Sequence, residues 1–192
     1  MIVGVCGKAR HGKGTIGAVL TREYGFTQID VGDGVRACAT ALDPIVVPEE
    51  GWTYNDVIRM FGYDEAKKLT GVRRLLQRIG TEVGRNVLGE NVWVNALDKR
   101  VREHLRGQTR ERHIVITDVR FHNEADYIRD QGGMLWLVSR PLPTPVDEHE
   151  SERYAYQLGA SRVFVNEADV EDLRVKTRMV MAEYGMPRVE AA

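Results

Sequence analysis

The stretch Gly7-Lys8-Ala9-Arg10-His11-Gly12-Lys13-Gly14-Thr15 holds the most specific chemistry in the chain. Gly7 and Gly12 let the backbone turn tightly and point successive N–H groups at an anion. Lys13 brings a point charge to the outer phosphates, and a helix opening at that residue adds its dipole. The G-x-x-x-x-G-K spacing therefore reads as a nucleotide triphosphate site, with Gly7, Arg10, Gly12, Lys13, Gly14 and Thr15 as the ATP-binding candidates. A glycine-rich structural turn is the plainer alternative. Gly14 stands where Ser or Thr usually holds magnesium, and Thr15 follows one place later, so direct and water-mediated coordination both stay open.

A second candidate lies at Ile114-Val115-Ile116-Thr117-Asp118-Val119-Arg120, an apolar run ending in an acid. Ligands of open α/β sheets sit beyond the carboxyl ends of the strands, where Asp118 can hold magnesium or its waters. Arg120 can clamp phosphate with two parallel hydrogen bonds. A turn or helix cap is the ordinary role for such an Asp. Arg74, Arg78, Thr81 and Arg85 fall opposite an apolar set of Val72, Leu75, Leu76, Ile79, Val83 and Val87 at helical spacing. Spacing alone makes that polar stripe a solvated face.

The elements that must position these groups alternate. Strands are expected at Ile2–Cys6, Phe26–Ile29, Ile114–Thr117, Met134–Val138 and Arg162–Val165. Helices are expected at Lys13–Glu23, Val35–Ala41, Thr53–Phe61, Val72–Leu88, Val92–Leu105, Asn123–Asp130, His149–Leu158 and Val170–Tyr184. Alternation of this kind predicts a parallel sheet covered on both faces. The long interval between the second and third strands predicts a helical insertion, about 35–111, on a core of 1–34 and 112–184. Leu42–Gly51, with Pro44 and Pro48, reads as a loop, and the residues after Gly185 as a frayed tail.

With 192 residues and a net charge of −1, the chain suits one domain and has no global pull toward nucleic acid or membrane. Lys99–Arg112 carries six basic residues against two acids, but aromatic stacking partners are absent, so a solvated helix end is expected. The two cysteines, Cys6 and Cys38, form no framework and read as buried thiols in a reducing cytoplasm. The histidines show no zinc-ligand spacing. No run is long and apolar enough for a bilayer span.

The G-K-G-T form of the loop resembles nucleoside monophosphate kinases such as adenylate kinase. Gly71-Val72-Arg73-Arg74-Leu75-Leu76-Gln77-Arg78-Ile79-Gly80-Thr81-Glu82-Val83-Gly84-Arg85, then Gly89-Glu90-Asn91-Val92-Trp93-Val94, resembles the bacteriophage-type deoxynucleoside monophosphate kinases. So do Asp118-Val119-Arg120-Phe121-His122-Asn123-Glu124 and Asp147-Glu148-His149-Glu150-Ser151-Glu152. That resemblance covers about Met1 to Tyr184. It implies a P-loop NTPase-type five-stranded parallel sheet flanked by helices, with a helical substrate-binding insertion and a short lid at about 140–153. The implied activity is transfer of the γ-phosphoryl of ATP, with Mg2+, to a deoxynucleoside 5′-monophosphate in the cytoplasm, or in the host cytoplasm for a viral protein.

On the same resemblance Asp33, Arg36, Arg74, Gln77, Thr81 and Trp93 are candidates for the acceptor nucleotide. Arg36 and Arg74 would hold its phosphate, Gln77 would read a base edge, and Trp93 would stack on the base or fill the core. Asn166 would approach adenine or serve as a turn residue. Arg140 and Arg153 would be lid arginines, and a homodimer is a further implication. Gly25-Phe26-Thr27-Gln28-Ile29-Asp30-Val31-Gly32-Asp33 also resembles dephospho-coenzyme A kinase, in which Asp33 would act as base on a ribose hydroxyl. A non-catalytic ATP-binding switch stands as a third reading.

Overall fold

Strand β1 (Ile2–Cys6) is apolar at every position but Gly4, as a central strand covered on both faces requires. In the computed structural model, which describes residues 1–106, 112–141 and 154–189, it lies third in a five-stranded sheet. Its neighbours are β5 (Ile114–Val119) on one side and β6 (Met134–Ser139) on the other. β2 (Thr27–Asp30) pairs with β5 and β7 (Arg162–Val165) with β6, giving the all-parallel order β2-β5-β1-β6-β7. The expected five-stranded parallel sheet is the observed one. One face packs Val3, Val5, Trp136, Val138 and Phe164 against α1 (Lys13–Tyr24) and α7 (Val170–Glu183). α6 (His122–Asp130) packs on β1 and β6 through the fully buried Ile128.

Contacts divide the chain into a sheet-bearing unit, Met1–Val31 with Lys99–Ala192, and a helical unit, Gly32–Asp98. The helical unit holds α2 (Asp33–Leu42), α3 (Tyr54–Ala66), α4 (Thr70–Gln77), a π-helical segment Arg78–Leu88 and the first turns of α5 (Val92–Leu105). Thr53 starts α3 with a reciprocal cap: its Oγ1 accepts from Asp56 N–H at 3.2 Å while Asp56 Oδ2 accepts from Thr53 N–H at 3.1 Å.

Four expectations are corrected. The presumed loop Leu42–Gly51 contains β3 (Ile45–Val47), which pairs antiparallel with β4 (Trp52–Thr53); Pro44 and Pro48 delimit that short strand. The single helix expected over Val72–Leu88 changes to π geometry at Arg78. Its i→i+5 bonding shifts the buried face away from the 3.6-residue stripe, so Val83 and Val87 are 49% and 75% exposed while Gly84 is buried. Cys38 is exposed, because the inward position of α2 is the next residue, Ala39. Residues 186–189 are docked rather than frayed. Gly185, at φ 65°, ends α7 in the left-handed conformation, and Met186 N–H returns to Met181 O. Val189 N–H donates to Glu23 O, and Arg188 stands 3.6 Å from a Glu23 carboxylate that Arg178 holds through Nε and Nη2. The expected helix His149–Leu158 falls mostly outside the described residues; its end, Tyr154–Tyr156, is a 3-10 turn.

Trp93 is 6% exposed and anchors the helical unit, with its indole N–H donated to Gly80 O at 2.7 Å. A Cβ on Gly84 would stand 2.5–2.6 Å from three atoms of that indole. Gly84→Ala is therefore expected to destabilise the protein by about 2 kcal/mol, lowering Tm by roughly 4–8 °C. Thermal unfolding followed by circular dichroism reads the shift, and an unchanged midpoint would show that the indole is free to move aside.

Candidate active site

β1 runs straight into the loop that follows it, and the loop conformation depends on residues that L side chains tolerate poorly. Gly7 has φ 141°, Arg10 φ 65° and Gly12 φ 113°. A Cβ at Gly7 would lie 2.3 Å from Val138 O, and one at Gly12 2.6 Å from Leu173 Cδ2 and 3.0 Å from Asn166 Nδ2. Glycine is required at Gly7 by close backbone approach as well as by φ, and at Gly12 by φ, with side-chain atoms crowding the space a Cβ would take. Thr15 and Ile16 N–H close onto Gly12 O, opening α1 with Lys13 in its first turn. Lys13 Nζ donates to Gly7 O at 2.7 Å and to Lys8 O at 3.1 Å, so the ammonium sits inside the loop with only 13% of its side chain exposed.

The adjacent strand supplies the acid. Gly4 pairs with Ile116 and Cys6 with Val119, so β5 spends two residues, Thr117 and Asp118, where β1 spends one. This is a β-bulge, which bends its strand and re-aims side chains. Asp118 occupies φ 62°, and its carboxylate turns to the loop, with Oδ1 3.5 Å from Lys13 Nζ. Oδ2 accepts from Arg120 Nε at 3.0 Å. Burial pushes the Asp118 pKa up, but the charges of Arg120 and then Lys13, with their hydrogen bonds, outweigh it and hold the carboxyl below its ordinary range. Glu124, 2% exposed, accepts from the backbone N–H of Arg120 at 2.8 Å and of Phe121 at 3.1 Å, which fixes the turn carrying Arg120. Thr117 Oγ1 donates to Asp30 Oδ2 at 3.1 Å, placing a second carboxylate at the carboxyl end of β2.

Two expected ATP-site residues have definite surroundings. Asn166, 4% exposed after β7, donates its amide to His11 O at 2.8 Å, so its N–H serves the loop backbone. Arg140 is exposed, and its backbone N–H is given to His11 Nδ1 at 3.1 Å. Arg153 and the acidic stretch around His149 lie outside the described residues.

In the helical unit, Arg36 pairs with Asp33, both in α2, and stands 5.0 Å from the centre of the Tyr63 ring. Its guanidinium also donates to Tyr63 Oη at 3.4 Å. The arginine is thus held by a carboxylate and an aromatic face, which restricts its rotamers before any anion arrives. Arg74 is exposed on α4, and Gln77 and Thr81 are half-buried. Trp93 is inside the unit, with its N–H satisfied by Gly80.

Sequence reasoning passed over His11, Asp30, Tyr63 and Glu124 as site-forming residues. His11 and Tyr63 act through partners remote in sequence, so no local spacing could have marked them. Glu124 carried a signal, an acid at the third position of a helix start. Among the described residues no three of His, Cys, Asp and Glu gather as a metal cluster, and no helix is long and apolar enough to cross a membrane.

The family model described as deoxynucleotide monophosphate kinase matches residues 52–177. That span includes Arg74, Gln77, Asp118 and Arg120 and stops short of the glycine loop. A protein of Acanthamoeba polyphaga mimivirus, provisionally named a deoxynucleotide monophosphate kinase, is 28% identical over 167 residues, covering 79% of this chain and 80% of its own. Shikimate kinase from Aquifex aeolicus superposes with a TM-score of 0.48 at 15% identity, over 96% of this chain and 98% of that one. For dephospho-CoA kinase from Campylobacter jejuni the TM-score is 0.42, again at 15% identity, over 95% and 96%.

Proposed function

Because the chain belongs to the deoxynucleotide monophosphate kinase family, we propose that it transfers the γ-phosphoryl of ATP to a deoxynucleoside 5′-monophosphate, releasing a deoxynucleoside diphosphate and ADP. One observation carries the reading: Lys13, Asp118 and Arg120 converge at a glycine loop beyond the carboxyl ends of β1 and β5. Such a loop presents backbone N–H groups and an ammonium to a triphosphate, and the neighbouring acid and guanidinium add charge of both signs.

The acceptor is a phosphate whose second pKa is about 6, so its attacking oxygen is already an anion near neutral pH. It attacks the γ-phosphorus as the bond to the β–γ bridging oxygen breaks, and ADP leaves with that electron pair. No strong base is needed; the work is to align two phosphates that repel each other. Lys13 and Arg120 would offset the charge on the donor, while Arg36 and Arg74 would hold the acceptor phosphate.

The donors present suit magnesium, which takes hard oxygens and keeps most of its waters. Asp118 offers an anionic carboxylate with 27% of its side chain exposed, and Thr15 a half-buried hydroxyl. These two would hold the ion, directly or through water, and its charge would be supplied to the β- and γ-phosphate oxygens.

ADP release measured with each deoxynucleoside monophosphate, with dephospho-coenzyme A and with no acceptor tests the reading. Turnover dependent on a deoxynucleoside monophosphate is expected. Turnover only with dephospho-coenzyme A, or none with any acceptor, would overturn it.

Two variants extend the proposal. Gln77→Ala is expected to raise the acceptor KM by about tenfold, the cost of one lost buried hydrogen bond, and to blur base preference while leaving the ATP KM alone. Equal effects on both substrates would instead mean helix damage. Arg140→Ala is expected to lower kcat by one to three orders of magnitude, roughly 1.4–4 kcal/mol, with little change in ATP affinity. Wild-type kcat in that variant would remove Arg140 from the machinery.

A further inference from the structure

His11 is the interior residue of the glycine loop, flanked by Arg10 and Gly12, both in the left-handed region. It is only 3% exposed. Burying an imidazole is costly unless its nitrogens and its backbone find partners. At His11 they come from outside the loop as well as from within it. Its N–H closes a turn on Lys8 O at 3.3 Å. Its carbonyl accepts from Asn166 Nδ2 at 2.8 Å, and its Nδ1 lies 3.1 Å from Arg140 N and 3.3 Å from Val138 O. A backbone N–H can only donate and a carbonyl can only accept, so Nδ1 takes the Arg140 N–H in one tautomer and gives its own proton to Val138 O in the other; both partners stand at the carboxyl end of β6. Arg140 and Asn166 are the first residues beyond β6 and β7, so one loop residue ties the loop to the carboxyl ends of two strands.

A loop with Arg10 in the left-handed conformation is strained and persists only where its surroundings over-determine it. Within the loop, the Arg10–Gly12 turn aims the backbone at an incoming anion, and the side chain of His11 is what spans from that turn to β6. We infer that His11 is a positioning residue of the phosphate loop. It holds the curvature at which the backbone N–H groups meet a polyphosphate, acting through the main chain of Arg140 and the amide of Asn166. The inference rests on the triphosphate-site reading of the loop.

The requirement is a polar atom two bonds beyond Cβ, within reach of Arg140 N and Val138 O. His Nδ1 and the Asn amide both meet it; Gln carries its amide one carbon farther out, and Phe fills the volume without a polar atom. Calorimetric titration of the full chain with inorganic tripolyphosphate isolates the loop, because that probe has neither base nor sugar. His11→Phe is expected to weaken tripolyphosphate binding tenfold or more and His11→Gln nearly as much, whereas His11→Asn stays within threefold of wild type. Binding of a deoxynucleoside monophosphate to the same proteins is expected to be unchanged. Equal weakening by Phe and Asn, or equal loss for the two ligands, would overturn the inference. Should His11→Phe fail to fold, Asn166→Ala repeats the test from the carbonyl side. There, tripolyphosphate must weaken while the monophosphate does not, and the opposite result overturns it. Wild-type protein that binds tripolyphosphate yet phosphorylates no deoxynucleoside monophosphate would sink the proposed reaction and leave the role of His11 standing. Wild-type protein that does not bind tripolyphosphate would sink both.

Discussion

Lys13→Ala is expected to lower kcat/KM by three orders of magnitude or more, at least about 4 kcal/mol of transition-state stabilisation, while the fold survives. The ammonium is enclosed by Gly7 O, Lys8 O and Asp118, where water screens it poorly and its charge acts at full strength on a bound phosphate. Its structural share is smaller. Asp118 keeps Arg120 as a partner, so Lys13 is not its only counterion. A steady-state assay combined with thermal unfolding separates the two effects. Retained turnover in a protein of wild-type Tm would remove the loop from the reaction, and a matched fall in Tm and activity would make Lys13 a structural residue.

For Asp118→Asn the expected loss is two to three orders of magnitude in kcat, together with a raised magnesium requirement, because a neutral amide binds a hydrated cation weakly. The variant preserves size and side-chain shape, so the bulge that aims residue 118 is expected to remain. Wild-type turnover over a full magnesium titration would reduce Asp118 to a counterion for Lys13 and Arg120. Its lowered pKa adds a dependence on pH with a definite sign. Since the folded-state value lies below the unfolded value of about 3.9, ionised Asp118 stabilises the protein above that pH. The contribution is lost as pH falls through the folded-state pKa. The stability gap between wild type and Asp118→Asn is thus expected to be constant from pH 5 upward and to close in stronger acid. Asp118 stays anionic through neutrality, so an acid limb of the rate profile near pH 6 would report the acceptor phosphate. A limb that persists in the same place for an acceptor of different phosphate pKa would contradict that assignment.

What the sequence determined by itself was local. The loop was legible because Gly7, Gly12 and Lys13 impose their chemistry through nearest-neighbour geometry. The parallel sheet was legible because runs such as Ile114-Val115-Ile116 can be satisfied only by cover on both faces. The arginine and glutamine positions around Arg74 and Gln77 were read from family resemblance, and no local rule distinguished them from a solvated stripe. Tertiary structure decided the rest, each time because the deciding partner is distant in the chain. The bulge at Thr117–Asp118 exists only relative to the register of β1, so no window around Asp118 announces the re-aimed carboxylate. His11 looked like a spacer in the loop motif, and only the meeting of β6 and β7 with the loop supplies its partners. Periodicity failed beyond Ile79 because Trp93 takes Gly80 O and packs at Gly84, where the backbone follows a wider helix than a 3.6-residue repeat describes. Short-range sterics are written in adjacent residues; register, clamps and helix type are settled by the neighbour that arrives across the fold.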